Sequence, residues 1–584
     1  MGNFKVRFIL GTSFVICLLA SNCTSDKEVA DMILFNGKIV TVDEKFSTAE
    51  AVAVKNGKIL AVGEDDDLLR LAGEATETID LKGHTLIPGL IEGHAHPISA
   101  SQSEYFEEIP DLHTIKELLQ WIKDEARVKA DGEWIIHPKF FVTRFREMRQ
   151  VTIAELDSVA PDNPVFLNGS YGGVVNSKAL DISKISQSKQ EGILRDERTG
   201  RASGVIRRSA FKLLSLDDDK RMSHEQKVEA LRTLLRRYNE IGITSVTSGG
   251  GPPGELAMFR ELMENGDLTV RVFQNIRIPL DPKKSFDEIG EIVKGLGYKT
   301  GDGNDWVRVG ALKVALDGGV LTGTAFLRNG WGKRAKDIYG ITDPGYRGEL
   351  LLSKSDLVRL ITVADDSGWK FTAHVTGGGG VDTLIAAYEE VNKVNSIVKK
   401  RFSIIHGNFF TTDAIRKMSA LGILADMQPA WFYKDTNLLN YVLGEETIKT
   451  FHPYNSLMKE GVIVNGGSDH MVKLDPNASI NPYNPFLAMW SVITRQTERG
   501  AVFNPEEAIS REQALRMYTI NNAYASFEED MKGSIEVGKL ADVVLLSEDI
   551  LTCSEENIKG IKPLLTIVDG RIVYRSNRFL ADRN

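Results

Sequence analysis

Short apolar runs alternate with amphipathic segments through the middle of this chain. Residues 224–242, 353–367 and 383–394 repeat apolar positions at helical spacing, whereas Ile243-Thr244-Ser245-Val246 is a compact run with β-branched residues. Alternating strands and helices indicate a parallel sheet. Their spacing suits a (β/α)8 TIM-type barrel, whose functional residues lie where the strands end. We therefore expect an α/β barrel over residues 85–528.

Both ends of the chain show a different pattern, in which short apolar strands are separated by glycine turns. Asn36-Gly37 and Asn56-Gly57 near the start, and Asp569-Gly570 near the end, are signals for tight turns between paired strands. We expect residues 31–84 and 529–578 to build one β-sandwich together.

The region that follows the first predicted barrel strand is longer than a barrel requires. Two βα units need far fewer residues than the chain has before the strand at residue 243, so we predict an inserted subdomain over about residues 97–219. The chain has 584 residues, which is enough for a barrel of about 250 residues and for these additions.

Charge argues against one class of partner. Charged residues make up 26% of the chain and the formal net charge is -9. Binding along a phosphate backbone depends on lysine and arginine in surplus. We therefore expect no nucleic-acid partner.

The first residues have the order of a secretory signal. Basic residues precede an apolar stretch over residues 8–20, which leads into Ala20-Ser21-Asn22-Cys23. This stretch is too short to span a bilayer, and the residues around Cys23 resemble a bacterial lipobox. We expect residues 1–23 to be a signal peptide with a lipid anchor at Cys23, and residues 24–30 to be a tether. The protein would then be exported to the periplasm or anchored in the bacterial envelope; the alternative is cleavage and release.

Residues that can bind metal stand on or after apolar, strand-like runs. His94 and His96 alternate on one predicted strand, so both imidazoles point to the same side, where they can bind one metal ion. The other candidates each lie in or end a β-rich run: Lys313, His374, His406 and Asp469.

Most of these candidates also have a structural interpretation. An ammonium in an apolar strand is costly unless it is paired, so Lys313 could form a buried ion pair with Asp317 or another nearby carboxylate. Lysine also reacts with carbon dioxide to form a carbamate, an oxygen ligand that can bridge two cations. Single histidines are common in protein cores, so His374 and His406 could be ordinary core residues. Asp469 could bind metal and accept a proton from metal-bound water, or it could cap a helix.

Taken together, the motifs resemble those of the amidohydrolase superfamily, and within it the amidohydrolase-3 group of YtcJ-like proteins. The resemblance covers nearly all of the chain after the signal. It rests on motifs that occur in a specific order at residues 88–96, 312–319, 374–384, 405–407 and 467–469, and on the segment at residues 533–542.

This resemblance implies a site with two divalent metal ions. His94, His96 and Asp469 would hold one ion, His374 and His406 the other, and carbamylated Lys313 would bridge them. Zinc is the first expectation, and iron, manganese or nickel suit the same ligands. The implied reaction is hydrolysis of a non-peptide C–N bond by a metal-bound hydroxide, with Asp469 as the catalytic proton carrier. The implied substrate is a small linear or cyclic amide, or an N-acyl or N-formyl compound.

Candidate substrate contacts come from the same comparison of motifs. Arg495 stands where relatives keep an arginine that can meet a substrate carboxylate, although a structural salt bridge is an alternative. Tyr171 stands where relatives often have a histidine, and Asp317 begins a loop that differs from the commonest form. We predict that these three residues contact the substrate.

Two other functions remain open at this point. A mononuclear deaminase or lactonase on the same scaffold would keep Lys313 as an ammonium paired with Asp317. A non-catalytic surface lipoprotein would use the barrel and insertion only to bind a ligand. The sequence leaves the substrate, the metal and the oligomeric state open.

Overall fold

The computed structural model describes residue 2 and residues 28–188, 190, 192–216, 222–278 and 284–581. Apart from residue 2, the predicted signal peptide with Cys23 lies outside these residues, as does most of the tether. Export and lipid attachment therefore stay predictions. Among the described helices, none combines the length and the apolar character that crossing a membrane requires.

Eight parallel strands form a nearly closed barrel, which confirms the predicted fold class. In chain order the strands are β1 (Leu90–Ala95), β2 (Ile243–Gly251), β3 (Arg271–Arg277), β4 (Val307–Ala315), β5 (Phe371–Val375), β6 (Ser403–His406), β7 (Leu424–Met427) and β8 (Val464–Gly466). The segment after β8 joins it to β1: the Asp469 amide donates to the His94 carbonyl, and the His96 amide donates to the His470 carbonyl, both at 2.7 Å.

Helices surround the barrel strands and bury their outer faces. The helix predicted over residues 383–394 begins earlier, at Gly378. Its first turn packs so closely on the Leu327 carbonyl oxygen that a Cβ atom at Gly379 would lie 2.8 Å from it, which favours glycine there. The helices outside the insertion and the sandwich are His224–Glu240, Glu255–Glu264, Phe286–Lys294, Ala335–Tyr339, Lys354–Asp366, Gly378–Val394, Thr412–Leu421, Pro429–Leu443, Glu445–Ile448, Tyr454–Lys459, Pro485–Thr494, Arg511–Met517 and Ile520–Ala525.

The two ends of the chain form two further sheets that pack on each other. One sheet has the order Lys58–Gly63, Ala51–Lys55, Met32–Phe35 and Glu77–Asp80; the other has the order Arg571–Arg575, Pro563–Val568, Val543–Leu546, Thr85–Pro88, Lys38–Val40 and Thr48–Ala49. Leu34, Val52 and Leu545 belong to one buried apolar cluster between them. Because Thr85–Pro88 pairs in the second sheet, the sandwich extends beyond residue 84 and the barrel begins at Leu90.

Two of the three turn signals are confirmed. The strands on either side of Asn56-Gly57 and of Asp569-Gly570 pair with each other across two-residue turns. Asn56 and Gly57 have φ values of 49° and 72°, as a hairpin turn with two left-handed residues requires. The hairpin predicted at Asn36-Gly37 is wrong, because the strands before and after it lie in different sheets.

The part of the chain between β1 and the helix His224–Glu240 forms a separate five-stranded sheet. Its strands, in spatial order, are Ile193–Arg195, Ala202–Arg207, Gly172–Val175, Val165–Asn168 and Ile135–His137, and its segment also contains the helices Pro97–Gln102, Ile115–Val128, Ile153–Val159, Ser177–Ile182 and Arg208–Phe211. Phe141 of this segment shares a buried apolar cluster with Val320 and Phe432, which follow β4 and β7. The segment therefore covers the carboxyl ends of the barrel strands.

A buried ion pair joins the barrel to the sandwich. Arg271 begins β3 and is 1% exposed. Its guanidinium donates to both carboxylate oxygens of Asp542, at 2.7 and 3.0 Å, and to Asp569 at 3.1 Å. These contacts hold a barrel strand against a sandwich turn at Asp569 and the start of a sandwich strand at Asp542.

Replacing this arginine should destabilise the fold. We predict that Arg271→Met lowers the free energy of unfolding by about 3 kcal/mol or more, because Asp542 stays buried without its partner. Urea denaturation followed by circular dichroism measures the change. Arg127→Met is the control: it removes an exposed ion pair with Asp124 and should cost less than about 1 kcal/mol. Equal shifts in both variants would contradict the prediction.

Candidate metal centre and substrate cavity

The six predicted metal ligands converge at the carboxyl ends of the barrel strands. They lie on β1, β4, β5 and β6 or directly after β1 and β8, and five of them line one cavity of about 370 Å³: His96, Lys313, His374, His406 and Asp469. His94 is completely buried beside this cavity. Residues far apart in sequence are thus brought into one cluster.

His94, His96 and Asp469 form the tightest group. Nε2 of His96 lies 3.3 Å from Oδ1 of Asp469, and Nε2 of His94 lies 3.7 Å from the same oxygen. One ligand atom from each residue can be chosen so that all three lie within 4.8 Å of one another. Gly249 on β2 leaves the space for them, because a Cβ there would lie 2.7 Å from Nε2 of His94.

His374 and His406 adjoin this group. Their ring centroids are 4.6 Å apart, and the His406 ring is 5.4 Å from that of His94. Nδ1 of His406 lies 2.7 Å from Oε1 of Gln428, and Nε2 of His374 lies 3.2 Å from the Gly318 carbonyl oxygen. Since each ring has one nitrogen on a protein oxygen, the other nitrogen is available as a ligand.

Lys313 lies among the histidines. Its Nζ is 3.3 Å from Nε2 of His94 and donates to the Gly249 carbonyl. The Asp317 carboxylate instead accepts the amides of Phe326, Thr376 and Gly377 at 2.8 to 3.0 Å. The alternative in which Lys313 pairs with Asp317 is therefore wrong. Burial lowers the pKa of Lys313 to about 8.

The charge states of these groups fit a divalent cation. Burial holds the pKa values of His94, His374 and His406 well below the ordinary histidine value, so the rings are neutral, as metal ligands must be. Burial alone would raise the pKa of Asp469, but the hydrogen bond with His96 and the positive charge of neighbouring groups bring it below its ordinary value. Neutral imidazoles around a carboxylate are a donor set that suits zinc and related ions.

Two of the ligand candidates have unusual backbone conformations. His406 has a φ of 72° and Asp469 a φ of 58°, the left-handed region that residues other than glycine rarely adopt. Such strain persists where surrounding structure enforces it, and it is concentrated at functional sites. Here it turns each side chain at the point where its strand ends.

Three supporting residues were not identified from the sequence. Glu92 accepts the amides of His94 at 3.1 Å and Ser468 at 2.7 Å, and burial raises its pKa to about 8. Asp426 lies 3.7 Å from Nδ1 of His94, and the Trp431 ring stacks on that of His406 with centroids 4.5 Å apart. Glu92 could have been found, because alternation places it on the same side of its strand as His94.

Of the three predicted substrate contacts, only Tyr171 lines the cavity. Its ring stacks on that of His374 with centroids 5.0 Å apart. The predictions for Asp317 and Arg495 are corrected. Asp317 is buried and fixes the backbone of its own loop, whereas the Arg495 guanidinium lies 3.8 Å from the Phe432 ring centroid and donates to the His452 carbonyl at 3.2 Å. Neither side chain lines the cavity.

Three cationic side chains that line the cavity were also missed. Lys139 comes from the insertion, is half-buried and donates to the Ser170 hydroxyl. Arg208 lies 5.0 Å from the Tyr171 ring centroid. Arg277 ends β3, and this position at the end of a barrel strand is the signal that could have identified it.

Comparisons with known proteins agree with this geometry. A family model described as the amidohydrolase family matches residues 77–574. The N-substituted formamide deformylase of Arthrobacter pascens is 28% identical over 563 residues, which cover 94% of this chain and 99% of that protein. The putative amidohydrolase YtcJ of Bacillus subtilis is 25% identical, over 93% of this chain and 99% of that protein. An uncharacterized metal-dependent hydrolase from Pyrococcus horikoshii has the same fold, with a TM-score of 0.65, 21% identity and coverage of 90% of this chain and 99% of that structure.

Metal content tests the ligand cluster directly. We predict that His96→Ala and Asp469→Ala each lower the divalent metal bound per chain by about tenfold or more at limiting metal, since each removes a converging donor. Elemental analysis after dialysis against trace zinc measures this. His224→Ala is the matched control, because His224 pairs with Glu261 on the surface. The same metal content in all variants and in the parent would contradict the assignment.

Proposed function

This chain belongs to the amidohydrolase family and is a metal-dependent hydrolase of non-peptide carbon–nitrogen bonds; from this premise we propose that its substrates are small N-formyl or N-acyl amides. The observation that carries the proposal is the convergence of His94, His96 and Asp469 on one cavity. The cavity of about 370 Å³ has the size of sites for small molecules.

The choice of an N-formyl or N-acyl amide has support from a relative. The similar protein from Arthrobacter pascens is named an N-substituted formamide deformylase, and the two chains match over almost their full lengths. Loops and insertions determine specificity on this fold. At 28% identity, the similarity supports the assignment of the cleaved bond more strongly than it supports any assignment of the group attached to nitrogen.

The proposed cofactor is a pair of divalent metal ions, with zinc as the first expectation. His94, His96 and Asp469 would hold one ion, and His374 and His406 the other. We propose that Lys313 bridges them as a carbamate. Its pKa of about 8 supports this, because the neutral amine is the form that attacks carbon dioxide, forming an N–C bond and losing a proton. The carbamate would supply oxygen ligands in place of a positively charged ammonium, which would repel the metal ions.

The chemistry of the site follows from the positions of its side chains. When bound, divalent metal ions polarise an amide carbonyl and lower the pKa of water. We propose that Asp469 accepts the proton that the attacking water loses as its oxygen bonds to the carbonyl carbon. The same carboxyl group then gives this proton to the amine nitrogen as the C–N bond breaks, which yields a carboxylic acid and an amine.

Other residues orient the substrate and limit the access of water. Tyr171 and Trp431 stack on His374 and His406, respectively, and both line the cavity. Their rings form apolar walls beside the candidate ligands. A flat amide held between such walls keeps its carbonyl carbon near Asp469 in few orientations. Less orientational freedom is then lost when the transition state forms.

Turnover of an amide panel tests the proposal. We expect the zinc-loaded protein to hydrolyse N-formyl and N-acyl amines to an acid and an amine, measured by the release of primary amine. Asp469→Asn keeps the shape of the side chain but cannot accept the proton, so kcat should fall by about 100-fold or more. Asp413→Asn, at an exposed carboxylate paired with Lys417, should retain parental kcat.

Two results would reject this function. One is the absence of turnover for every N-formyl and N-acyl amine by protein whose metal content has been verified. The other is an Asp469→Asn variant that binds metal and keeps parental kcat.

A further inference from the structure

Asp426 and Gln428 form a buried polar pair beside the candidate metal centre. Asp426 lies on β7 and Gln428 directly follows that strand, so alternation turns both side chains to the same side. Asp426 is 6% exposed and Gln428 is completely buried. The proposed chemistry gives neither side chain a role of its own.

The contacts of the Gln428 amide fix its orientation. Its Nε2 donates to the carbonyl oxygen of Asp426 at 3.0 Å and to Oδ1 of Asp426 at 3.3 Å, while its Oε1 lies 2.7 Å from Nδ1 of His406. Turning the amide over would set its oxygen against two acceptor oxygens. Gln428 therefore accepts a hydrogen bond from Nδ1 of His406, which leaves Nε2 of that ring for a metal ion.

The second oxygen of the same carboxylate faces His94. Oδ2 of Asp426 lies 3.7 Å from Nδ1 of His94, and within the described part of the chain this buried nitrogen has no hydrogen-bond partner. The distance is longer than a hydrogen bond, and a small rotation of the Asp426 side chain would close it. A hydrogen on Nδ1 leaves Nε2 of His94 free, and this is the nitrogen that lies 3.7 Å from Oδ1 of Asp469.

An ionised carboxylate suits a residue that serves two donors. It has two oxygens that accept hydrogen bonds and no hydrogen to donate, unlike a hydroxyl or an amide. Burial raises the pKa of Asp426 to about 7, and the positive charges of Lys370 and Lys313 oppose this rise. At pH 8 the carboxylate is therefore mostly ionised.

We propose that Asp426 is a positioning residue shared by both metal subsites, one of which contains His94 and the other His406. One oxygen of the carboxylate orients the His94 ring, and the other orients the His406 ring through Gln428. This inference rests on the proposed two-metal centre and goes beyond it, because a single carboxylate would make the two subsites depend on each other.

Zinc affinities of the metal-free protein test the inference. Competition with a chelating dye at pH 8 gives the two dissociation constants of each variant for zinc. Asp426→Ala removes both carboxylate oxygens, so both constants should rise by about 10-fold or more. Gln428→Ala removes only the acceptor for His406, so one constant should rise by about 10-fold or more while the other keeps its parental value.

A double variant tests whether Gln428 transmits the effect of Asp426. If the carboxylate orients the His406 ring only through Gln428, adding Asp426→Ala to Gln428→Ala should not weaken the already weakened ion any further. It should weaken only the other ion. A general structural role for Asp426 would instead give losses that add at both ions.

Two further variants separate this role from a loss of structure. Ser403→Ala is the matched control, because Ser403 is buried on β6, lines the same small cavity as Asp426 and donates to Thr372 rather than to a histidine. It should keep both parental constants. Asp426→Asn keeps the shape of the side chain but offers one oxygen to two donors, so at least one constant should rise by about 10-fold or more. Thermal unfolding of the metal-free variants shows whether each is folded.

The outcomes separate this inference from the centre on which it rests. If the parent binds two zinc ions and the folded Asp426→Ala and Asp426→Asn variants keep both parental constants, the inference is overturned and the centre stands. A rise in only one constant for Asp426→Ala also overturns the shared role. If the parent binds fewer than two zinc ions, the two-metal centre itself is wrong and the inference falls with it.

Discussion

The backbone pairing that closes the barrel sets the position of the site. The segment after β8 exchanges hydrogen bonds with β1 through the Asp469 amide and the His470 carbonyl. Because these bonds involve the same residues that carry or flank the candidate ligands, closing the barrel also brings Asp469 to within 3.3 Å of His96. The remaining strands then bring Lys313, His374 and His406 to the same end of the barrel. The candidate metal centre is thus a direct consequence of the order and register of eight parallel strands.

This arrangement has an energetic cost that a bound metal and a bound substrate would offset. The centre buries three imidazoles, an amine and a carboxylate in a small volume, with His96 partly exposed beside them, and polar groups removed from water are unfavourable until they are satisfied. The left-handed conformations of His406 and Asp469 add backbone strain. Ligand binding to the folded chain would return part of this cost as stability.

The sequence predicted the parts of the structure that depend on local spacing. Alternation placed His94 and His96 on one side of a strand, and the two confirmed hairpins follow from Asn56-Gly57 and Asp569-Gly570. Asn36-Gly37 has the same turn chemistry, but its neighbouring strands belong to different sheets, a tertiary choice that no local pattern records. The substrate contact predicted for Arg495 is wrong for a similar reason. Its motif is compatible with such a contact, and only the packing of the fold shows that Arg495 lies against Phe432.

The substrate side of the cavity was the least predictable part. Lys139, Tyr171 and Arg208 come from the insertion, whose placement over the barrel depends on a shared apolar cluster rather than on spacing along the chain. Arg277 ends a barrel strand, but its local sequence matches none of the motifs that carry the family resemblance. The candidate ligands were therefore predictable from sequence, whereas the charge of the cavity around them required the fold.

Crystallography of the zinc-loaded protein, with anomalous diffraction at the zinc edge, tests the central proposal most directly. The account predicts two anomalous peaks, one bound by His94, His96 and Asp469 and one by His374 and His406. Density for a carbamate on Lys313 should lie between them. A single peak, together with an unmodified Lys313 whose Nζ still donates to the Gly249 carbonyl, would contradict the proposed two-metal centre.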